Sequence, residues 1–215
     1  MKKAVIFDLD GTLADTIEDL AGAMNRSLRK RGLPEHDFGK YKLFVGDGFR
    51  NLVVRSLPEA SKSDALIQEI WFEAAAYYAE RCLDMTRPYP GIDSLLAALA
   101  ERGVGLAVLS NKPDELTKKV TAGLFPGARF GLVRGETADF PRKPDPASAL
   151  DACARLGAAP SEALYLGDTA VDMKTARAAG ILALGAAWGF RGESELRAAG
   201  ADAILERPLD LLEYL

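Results

Sequence analysis

Four aspartates are the residues of this sequence best suited to carry chemistry. Asp8 and Asp10 follow directly on the apolar run at residues 4–7, whereas Asp168 and Asp172 follow a similar run much later in the chain. Two like charges about 4 Å apart repel by about 4 kcal/mol at an effective dielectric constant of 20. If the fold brings these four carboxylates together, the site therefore requires a cation.

The other side chains that could bind a metal favour Mg²⁺ over zinc. The chain contains a single histidine, His36, and two cysteines, Cys82 and Cys153, that lack metal-site spacing. Zinc sites are built mainly from His and Cys, whereas Mg²⁺ prefers oxygen ligands. Mg²⁺ is typically held by one or two carboxylates together with substrate phosphate oxygens. The sequence therefore predicts a Mg²⁺ cofactor and a phosphorylated substrate.

Three further polar residues provide donors for a phosphoryl group. Ser110 and Asn111 follow the apolar run at residues 104–109, and Lys143 lies in the segment FPRKPDP. A hydroxyl, an amide and an ammonium group can share the negative charge on the phosphoryl oxygens during transfer. We predict that these three residues bind the phosphate of the substrate.

The first aspartate pair suits two different steps of phosphoryl transfer. Gly11 permits a positive φ directly after Asp10, which turns backbone N–H groups toward the bound anion. Asp8 can attack phosphorus as a nucleophile. Asp10 can protonate the leaving oxygen and later deprotonate the hydrolytic water. These residues therefore predict a metal-assisted phosphoryl-transfer site.

The elements that must position these residues are short apolar strands that alternate with helices. The runs before the polar residues have the length of strands buried on both faces of a parallel sheet. This alternation predicts an α/β fold, in which ligands bind beyond the carboxyl ends of the strands. The predicted strands are 4–7, 104–109, 163–166, 181–184 and 203–205, and the predicted helices are 113–124, 146–156 and 170–179.

Residues 16–87 break the alternation, because their apolar residues recur at helical spacing with no clear strand between them. Thr16 and Asp19 are candidate capping residues of the first helix, and residues 63–82 form a longer amphipathic pattern. We therefore predict a helical insertion after the first strand. The predicted domains are a core of residues 1–15 and 88–215 and a helical insertion of residues 16–87.

Composition and charge exclude several classes of partner. The 215 residues carry a formal net charge of −4, and no long block of Lys and Arg predicts a nucleic-acid or anionic-membrane surface. The uncharged stretch at residues 181–190 is far shorter than the roughly 20 residues that span a bilayer. The N-terminus lacks the apolar core of a signal peptide. We expect a cytoplasmic protein without a nucleic-acid or membrane partner, either a monomer or a homodimer.

Four motifs along the chain together resemble those of the haloacid dehalogenase superfamily of phosphohydrolases. They are DLDGTLADT, VLSNK, Lys143 in RKPDP, and GDTAVDM, and they span nearly the whole chain. The resemblance implies a Rossmann-like core with a helical cap inserted between the first and second motifs. That position is similar to the helical insertion predicted from periodicity.

The resemblance also implies a role for each motif residue. Asp8 would be the nucleophile and Asp10 the acid/base, and Ser110 and Lys143 would hold the phosphoryl group. The implied Mg²⁺ ligands are Asp8, the backbone carbonyl of Asp10, and Asp168, with Asp172 supporting the metal-bound waters.

One stretch of the helical insertion, VGDGFRNLVVRSL at residues 45–57, resembles that of phosphoglycolate phosphatases. Such a loop could bring Arg50 and backbone amides over a small anionic leaving group. The resulting prediction is a Mg²⁺-dependent phosphomonoester hydrolase that forms an aspartyl-phosphate. Its expected substrate is phosphoglycolate or a similarly small phosphorylated metabolite.

Two alternative functions stay open at this point. A phosphomutase or a pyrophosphatase could use the same core residues. A receiver-type signalling module also gathers aspartates, a hydroxyl and a lysine around Mg²⁺, but accepts phosphate without turnover. The alternating spacing of Asp8 and Asp10 and the size of the helical insertion both disfavour the receiver.

Overall fold

The computed structural model describes all 215 residues and confirms the α/β fold, with a six-stranded sheet at its centre. All neighbouring strands of this sheet are parallel, in the order β5-β4-β1-β6-β7-β8. The strands are β1 (Ala4–Phe7), β4 (Gly105–Pro113), β5 (Phe130–Glu136), β6 (Ala163–Gly167), β7 (Leu182–Ala186) and β8 (Ala203–Leu205). A separate antiparallel pair consists of β2 (Ala14–Asp15) and β3 (Arg87–Pro88).

Helices cover both faces of the parallel sheet, and the side chains of β1 point alternately into the two apolar clusters on those faces. Val5 and Phe7 belong to a cluster that includes residues of α5 and α6. Ala4 and Ile6 belong to a second cluster with residues of α7, α8 and α9. These helices are α5 (Ile92–Glu101), α6 (Asp114–Leu124), α7 (Ala147–Arg155), α8 (Ala170–Ala178) and α9 (Glu193–Ala198). Both faces of β1 are thus buried, as its continuous apolar run predicts.

Residues 16–87 contain four α-helices, and they pack into the same apolar cluster as one face of the sheet. The domain limits at 15/16 and 87/88 stay a prediction. The predicted helix at residues 63–82 is confirmed as α4, with the Ser63 side chain capping its first turn. The four helices are α1 (Ile17–Arg29), α2 (Phe38–Phe44), α3 (Phe49–Ser56) and α4 (Asp64–Arg81).

The predicted capping of α1 by Thr16 and Asp19 is wrong. Thr16 occupies the N-cap position but its side chain makes no capping hydrogen bond. The Thr16 hydroxyl instead donates to Asp10 Oδ1 at 2.7 Å. Asp19 accepts hydrogen bonds from the backbone amides of Met85 and Thr86. Thr16 therefore ties the start of the helical insertion to the core, and Asp19 joins α1 to the last residues of the insertion.

The strand pattern of the sequence misses β5 and ends β4 too early. Strand β5 pairs only with β4, so it is an edge strand, and it carries Gly131, Arg134 and Gly135 in place of a continuous apolar run. Strand β4 continues to Pro113, so Ser110 and Asn111 lie within its last residues. None of the helices has both the length and the apolar content that a bilayer crossing demands.

Candidate active site

The predicted site residues converge because the three strands that carry them are neighbours. In the sheet order, β1 lies between β4 and β6. Asp8 follows β1, Ser110 lies near the end of β4, and Asp168 follows β6. Parallel strands present their carboxyl ends at the same edge, where open α/β sheets bind ligands. The topology alone therefore places these residues side by side.

Three carboxylates form a compact, buried group at this edge. Oxygen atoms of Asp8, Asp168 and Asp172 all lie within 4.8 Å of one another. Both oxygens of Asp168 are held, since Thr12 Oγ1 donates to Oδ1 at 3.0 Å and the amide of Phe190 donates to Oδ2 at 2.8 Å. This group has the donor atoms that a hard divalent cation prefers.

Asp172 reaches the group because it lies in the first turn of α8. The backbone amide and the hydroxyl of Thr169 both donate to Asp172 Oδ2, at 3.1 Å and 2.7 Å. Acidic side chains near a helix N-terminus are favoured by the helix dipole. The start of α8 therefore holds one oxygen of Asp172 and leaves the other, Oδ1, directed at Lys143 at 2.7 Å.

Burial and mutual repulsion make this group electrostatically unfavourable when it is negatively charged. Burial, assisted by Asp172, raises the pKa of Asp8 to about 7. Burial also raises the pKa of Asp168 well above its ordinary value, with further contributions from Asp172 and Asp8. A cation bound between these carboxylates would remove both penalties.

Lys143 is a buried ammonium between two of the carboxylates. Its Nζ lies 3.0 Å from Asp8 Oδ1 and 2.7 Å from Asp172 Oδ1, and it donates to the carbonyl of Leu109 at 3.0 Å. Burial disfavours this charge, yet the adjacent Asp172 and Asp8 raise the pKa of Lys143 well above its ordinary value. Lys143 therefore stays charged and sets the orientation of the Asp8 carboxylate.

Asn111 is predicted to bind phosphate, but in this structure its side chain forms hydrogen bonds with backbone groups. Its Oδ1 accepts from the backbone amide of Lys143 at 2.9 Å. Its Nδ2 donates to the carbonyls of Lys143 and Gly46, each at 3.1 Å. Asn111 thus fixes the backbone that carries Lys143 and contacts the helical insertion. Ser110 Oγ accepts from the amide of Lys112 at 3.2 Å, which leaves its hydroxyl proton free to donate.

Lys112 is a site residue that the sequence analysis did not single out. Its Nζ forms an ion pair with Asp10 Oδ1 and donates to Tyr78 Oη at 2.8 Å. Asp10 Oδ1 therefore accepts from both Thr16 and Lys112, and neither contact uses Asp10 Oδ2. The only local signal for Lys112 is its place directly after Ser110 and Asn111 in the motif VLSNK.

A cleft opens beside Asp8 and Asp10, between the sheet edge and the helical insertion. The core contacts the roof of the cleft directly, because Arg191 donates to the carbonyls of Leu43 and Val45 at 2.8 Å and 3.2 Å. The helical insertion therefore covers the site in this structure. The lining residues are Asp8, Asp10, Leu20, Val45, Gly46, Gly48, Phe49, Leu52, Ser110, Asn111 and Lys112.

Arg50, which is predicted to lie over the leaving group, lies outside this cleft. It is a residue of α3, and its guanidinium pairs with Asp64 at 2.8 Å on the exposed side of the helical insertion. The side chain is 57% exposed. The hydrogen-bonding partner of Arg50 is thus Asp64 and not a residue of the cleft, and the role over the leaving group stays a prediction.

Gly11 provides a direct test of how tightly the site is packed. It has φ +83°, and a Cβ at this position would collide with the Asp168 carboxylate. We expect Gly11→Ala to reduce the free energy of unfolding by roughly 2–5 kcal/mol, because left-handed strain and overpacking add. Gly22→Ala is the matched control, since Gly22 is an exposed residue of α1 with open space around it.

Urea denaturation would measure both variants. In the interior of a helix, replacing Gly with Ala should raise the stability by about 0.5–1 kcal/mol. The two substitutions are therefore expected to have opposite signs. A Gly11→Ala protein as stable as the wild type would contradict the close approach of Gly11 to Asp168.

Comparison with known proteins gives the same fold and a family. The crystal structure of a protein from Lactobacillus delbrueckii subsp. bulgaricus superposes with a TM-score of 0.92 at 32% sequence identity, covering 100% of this chain and 98% of that one. A phosphoglycolate phosphatase from Aquifex aeolicus is 34% identical, with 99% of this chain and 96% of the relative aligned. An N-acetylmuramic acid 6-phosphate phosphatase from Pseudomonas aeruginosa is 32% identical, with 99% and 94% aligned.

The family profile of haloacid dehalogenase-like hydrolases matches residues 5–186, from β1 to the end of β7. The matched region contains all four motifs, the helical insertion and the buried carboxylate group. The full-length similarity to curated hydrolases agrees with this match. On these grounds the protein belongs to the haloacid dehalogenase-like hydrolase family.

Proposed function

We propose that this protein is a Mg²⁺-dependent phosphomonoester hydrolase that forms an aspartyl-phosphate on Asp8. We further propose that it acts on phosphoglycolate or a similarly small phosphorylated metabolite. The observation that carries the proposal is the group of three buried carboxylates, held next to Lys143 at the base of a covered cleft. Family membership supports the reaction class.

The charges of the site fit a divalent cation. Four carboxylates face only two ammonium groups, those of Lys112 and Lys143, which leaves two negative charges without a partner. We propose that Asp8, Asp168 and the backbone carbonyl of Asp10 hold Mg²⁺, with Asp172 next to them. When bound, Mg²⁺ would neutralise charge on the carboxylates and on the phosphoryl oxygens.

In the first step, Asp8 forms a bond to phosphorus while the bond between phosphorus and the ester oxygen breaks. Asp8 Oδ1 is fixed by the amide of Leu9 at 2.7 Å and by Lys143 at 3.0 Å. Asp8 Oδ2 accepts no protein hydrogen bond, so one carboxylate oxygen is held while the other stays available. The Ser110 hydroxyl donates a hydrogen bond to a phosphoryl oxygen.

Asp10 moves the proton in both halves of the reaction. Its Oδ1 is held by Thr16 and Lys112, so Oδ2 is the oxygen that exchanges the proton. In the first step, protonated Asp10 gives this proton to the departing ester oxygen. In the second step, Asp10 accepts a proton from water as the water attacks phosphorus, and the bond to Asp8 breaks. Phosphate leaves, and both aspartates return to their starting states.

The size of the cleft favours a small substrate. The free space within it is only about 30 Å³, so little room lies beside Asp8 and Asp10 beneath the helical insertion. Sequence identity does not distinguish between substrates, because a phosphoglycolate phosphatase and an N-acetylmuramic acid 6-phosphate phosphatase are similarly identical to this chain. We therefore base the preference for phosphoglycolate on the limited space beneath the helical insertion.

The decisive test compares kcat/KM for phosphoglycolate, pyrophosphate, sugar phosphates and nucleotides, each with and without Mg²⁺. We expect Mg²⁺-dependent release of many phosphates per protein molecule and the highest kcat/KM for phosphoglycolate. A clear preference for pyrophosphate, or isomerisation of a sugar phosphate without phosphate release, would replace the proposal with one of its enzymatic alternatives. A stable phosphoprotein that releases no phosphate would support the receiver alternative.

Mg²⁺ should also stabilise the folded protein. At a concentration about 100 times its Kd, a ligand adds about 2.7 kcal/mol, which raises the Tm of a chain of this size by about 5–10 °C. We expect this increase in thermal denaturation of the wild type. Asp168→Asn should lose most of it, whereas the exposed control Asp93→Asn should keep it. An Asp168→Asn protein with the full increase would exclude Asp168 as a metal ligand.

A further inference from the structure

Lys112 is the only cationic residue among those that line the cleft. Its side chain is 2% exposed and comes from β4, directly after Ser110 and Asn111. Lys143 lies deeper, where two carboxylates and a carbonyl already surround its ammonium. Arg50 points to the outer surface. Arg142 lies beside Gly48 at the edge of the cleft, but it pairs with Glu136 and is not a lining residue. Lys112 is therefore the one cation within the cleft that a second anionic group of a substrate could contact.

An ammonium group has three N–H donors, and Lys112 uses two of them. One donates to Asp10 and one to the hydroxyl of Tyr78. The third has no hydrogen-bond partner in the protein, and Lys112 is one of the residues that line the cleft. Burial of an unpaired carboxylate under the helical insertion would be strongly unfavourable, so a cleft that accepts such a group needs this donor.

Lys112 also lies near the place that we propose for the leaving group. Its ammonium contacts Asp10, and Asp10 is the residue that we propose protonates the departing ester oxygen. We therefore expect a group one or two carbon atoms away from that oxygen to lie within reach of Lys112. The apolar lining residues Val45, Phe49 and Leu52 offer no charged group on the other side.

From these contacts we propose that Lys112 binds the carboxylate of the leaving group and thereby selects phosphate esters of short hydroxy acids. This inference rests on the proposed phosphatase function and specifies its substrate class. Tyr78 of α4 is a positioning residue in this proposal, because its hydroxyl holds the ammonium at the cleft from the side of the helical insertion.

The test compares two esters that differ only in the charged group. Phosphoglycolate carries a carboxylate, whereas hydroxyethyl phosphate has a neutral hydroxymethyl group in its place. The measured quantity is the ratio of their kcat/KM values within each variant. A general loss of activity from disturbing Asp10 cancels in this ratio, so the ratio reports recognition of the carboxylate alone.

We expect Lys112→Met to lower this ratio by roughly 10- to 100-fold, the usual effect of losing a charge-assisted hydrogen bond. Lys112→Arg keeps the charge and should restore part of the ratio. Tyr78→Phe should lower it by a smaller factor, and it offers a second test if Lys112→Met does not fold. Lys119→Met is the matched control, since Lys119 contacts the helical insertion at Ala79 outside the cleft.

A binding measurement separates recognition from chemistry. Calorimetry should show that phosphoglycolate binds more weakly to the double variant Asp8→Asn/Lys112→Met than to Asp8→Asn, by a similar factor. If the wild type hydrolyses both esters and neither Lys112→Met nor Tyr78→Phe changes the ratio, the inference is wrong while the proposed function stands. If the wild type hydrolyses no phosphate ester, both are wrong.

Discussion

Asp8→Asn should abolish Mg²⁺-dependent hydrolysis of an aryl phosphate, with kcat reduced by at least about 10⁴-fold, as for the loss of other enzymatic nucleophiles. The amide has nearly the same shape as the carboxylate but no anionic oxygen to attack phosphorus. Steady-state kinetics would measure the loss, and mass spectrometry after a rapid acid quench should detect a phosphorylated protein for the wild type only.

The Asp8→Asn protein should nevertheless fold. Burial raises the pKa of Asp8 to about 7, which means that the folded state disfavours its negative charge. In metal-free buffer we therefore expect a Tm no lower than that of the wild type. Asp93→Asn, on the exposed face of α5, is the control and should keep full activity. An Asp8→Asn protein with near-normal activity would refute the aspartyl-phosphate mechanism.

Lys143→Met is expected to have the largest effect on stability. It leaves Asp8 and Asp172 buried without their shared ammonium, and breaking a buried ion pair typically costs about 3–5 kcal/mol. For a chain of this size, that loss corresponds to a decrease in Tm of roughly 10 °C. Loss of a charged group that orients the nucleophile should also reduce kcat by about 10²- to 10³-fold.

A control variant and a second measurement test this prediction further. Lys118→Met removes an exposed lysine that pairs with Asp114 at 2.6 Å, and should change stability by less than about 0.5 kcal/mol. Mg²⁺ should raise the Tm of Lys143→Met by more than it raises that of the wild type, because more negative charge is left unpaired. Equal increases in the two proteins would argue against a shared electrostatic site for Lys143 and the metal.

The location of the site follows from local sequence patterns. The run at residues 4–7 is apolar on both faces, so it predicts a buried parallel strand with Asp8 and Asp10 at its carboxyl end. The same reasoning applies to Asp168 after residues 163–166. Because parallel strands end at one edge, the sequence predicts which polar residues lie close together. The structure confirms the α/β fold on which this reasoning depends.

Other features could not be predicted, because they depend on partners that are distant in the chain. Strand β5 carries glycines and an arginine, so only its pairing with β4 identifies it. Arg50 of α3 pairs with Asp64 at the start of α4, on the exposed surface, and no local pattern predicts that pairing. Lys112 meets Asp10 and Tyr78, residues 102 and 34 positions away, and no local pattern encodes that meeting.

The sequence by itself thus determined the ends of β1 and β6, the four aspartates that follow them, the candidate phosphate-binding residues and the presence of a helical insertion. These depend on periodicity and residue type, which act over a few neighbouring positions. Only the tertiary structure decided which buried charges pair, that Asn111 supports the backbone of Lys143, and that Lys112 is the cation facing the cleft. Such pairing is set by packing across the sheet edge and the helical insertion, where a long side chain can reach several partners and burial selects among them.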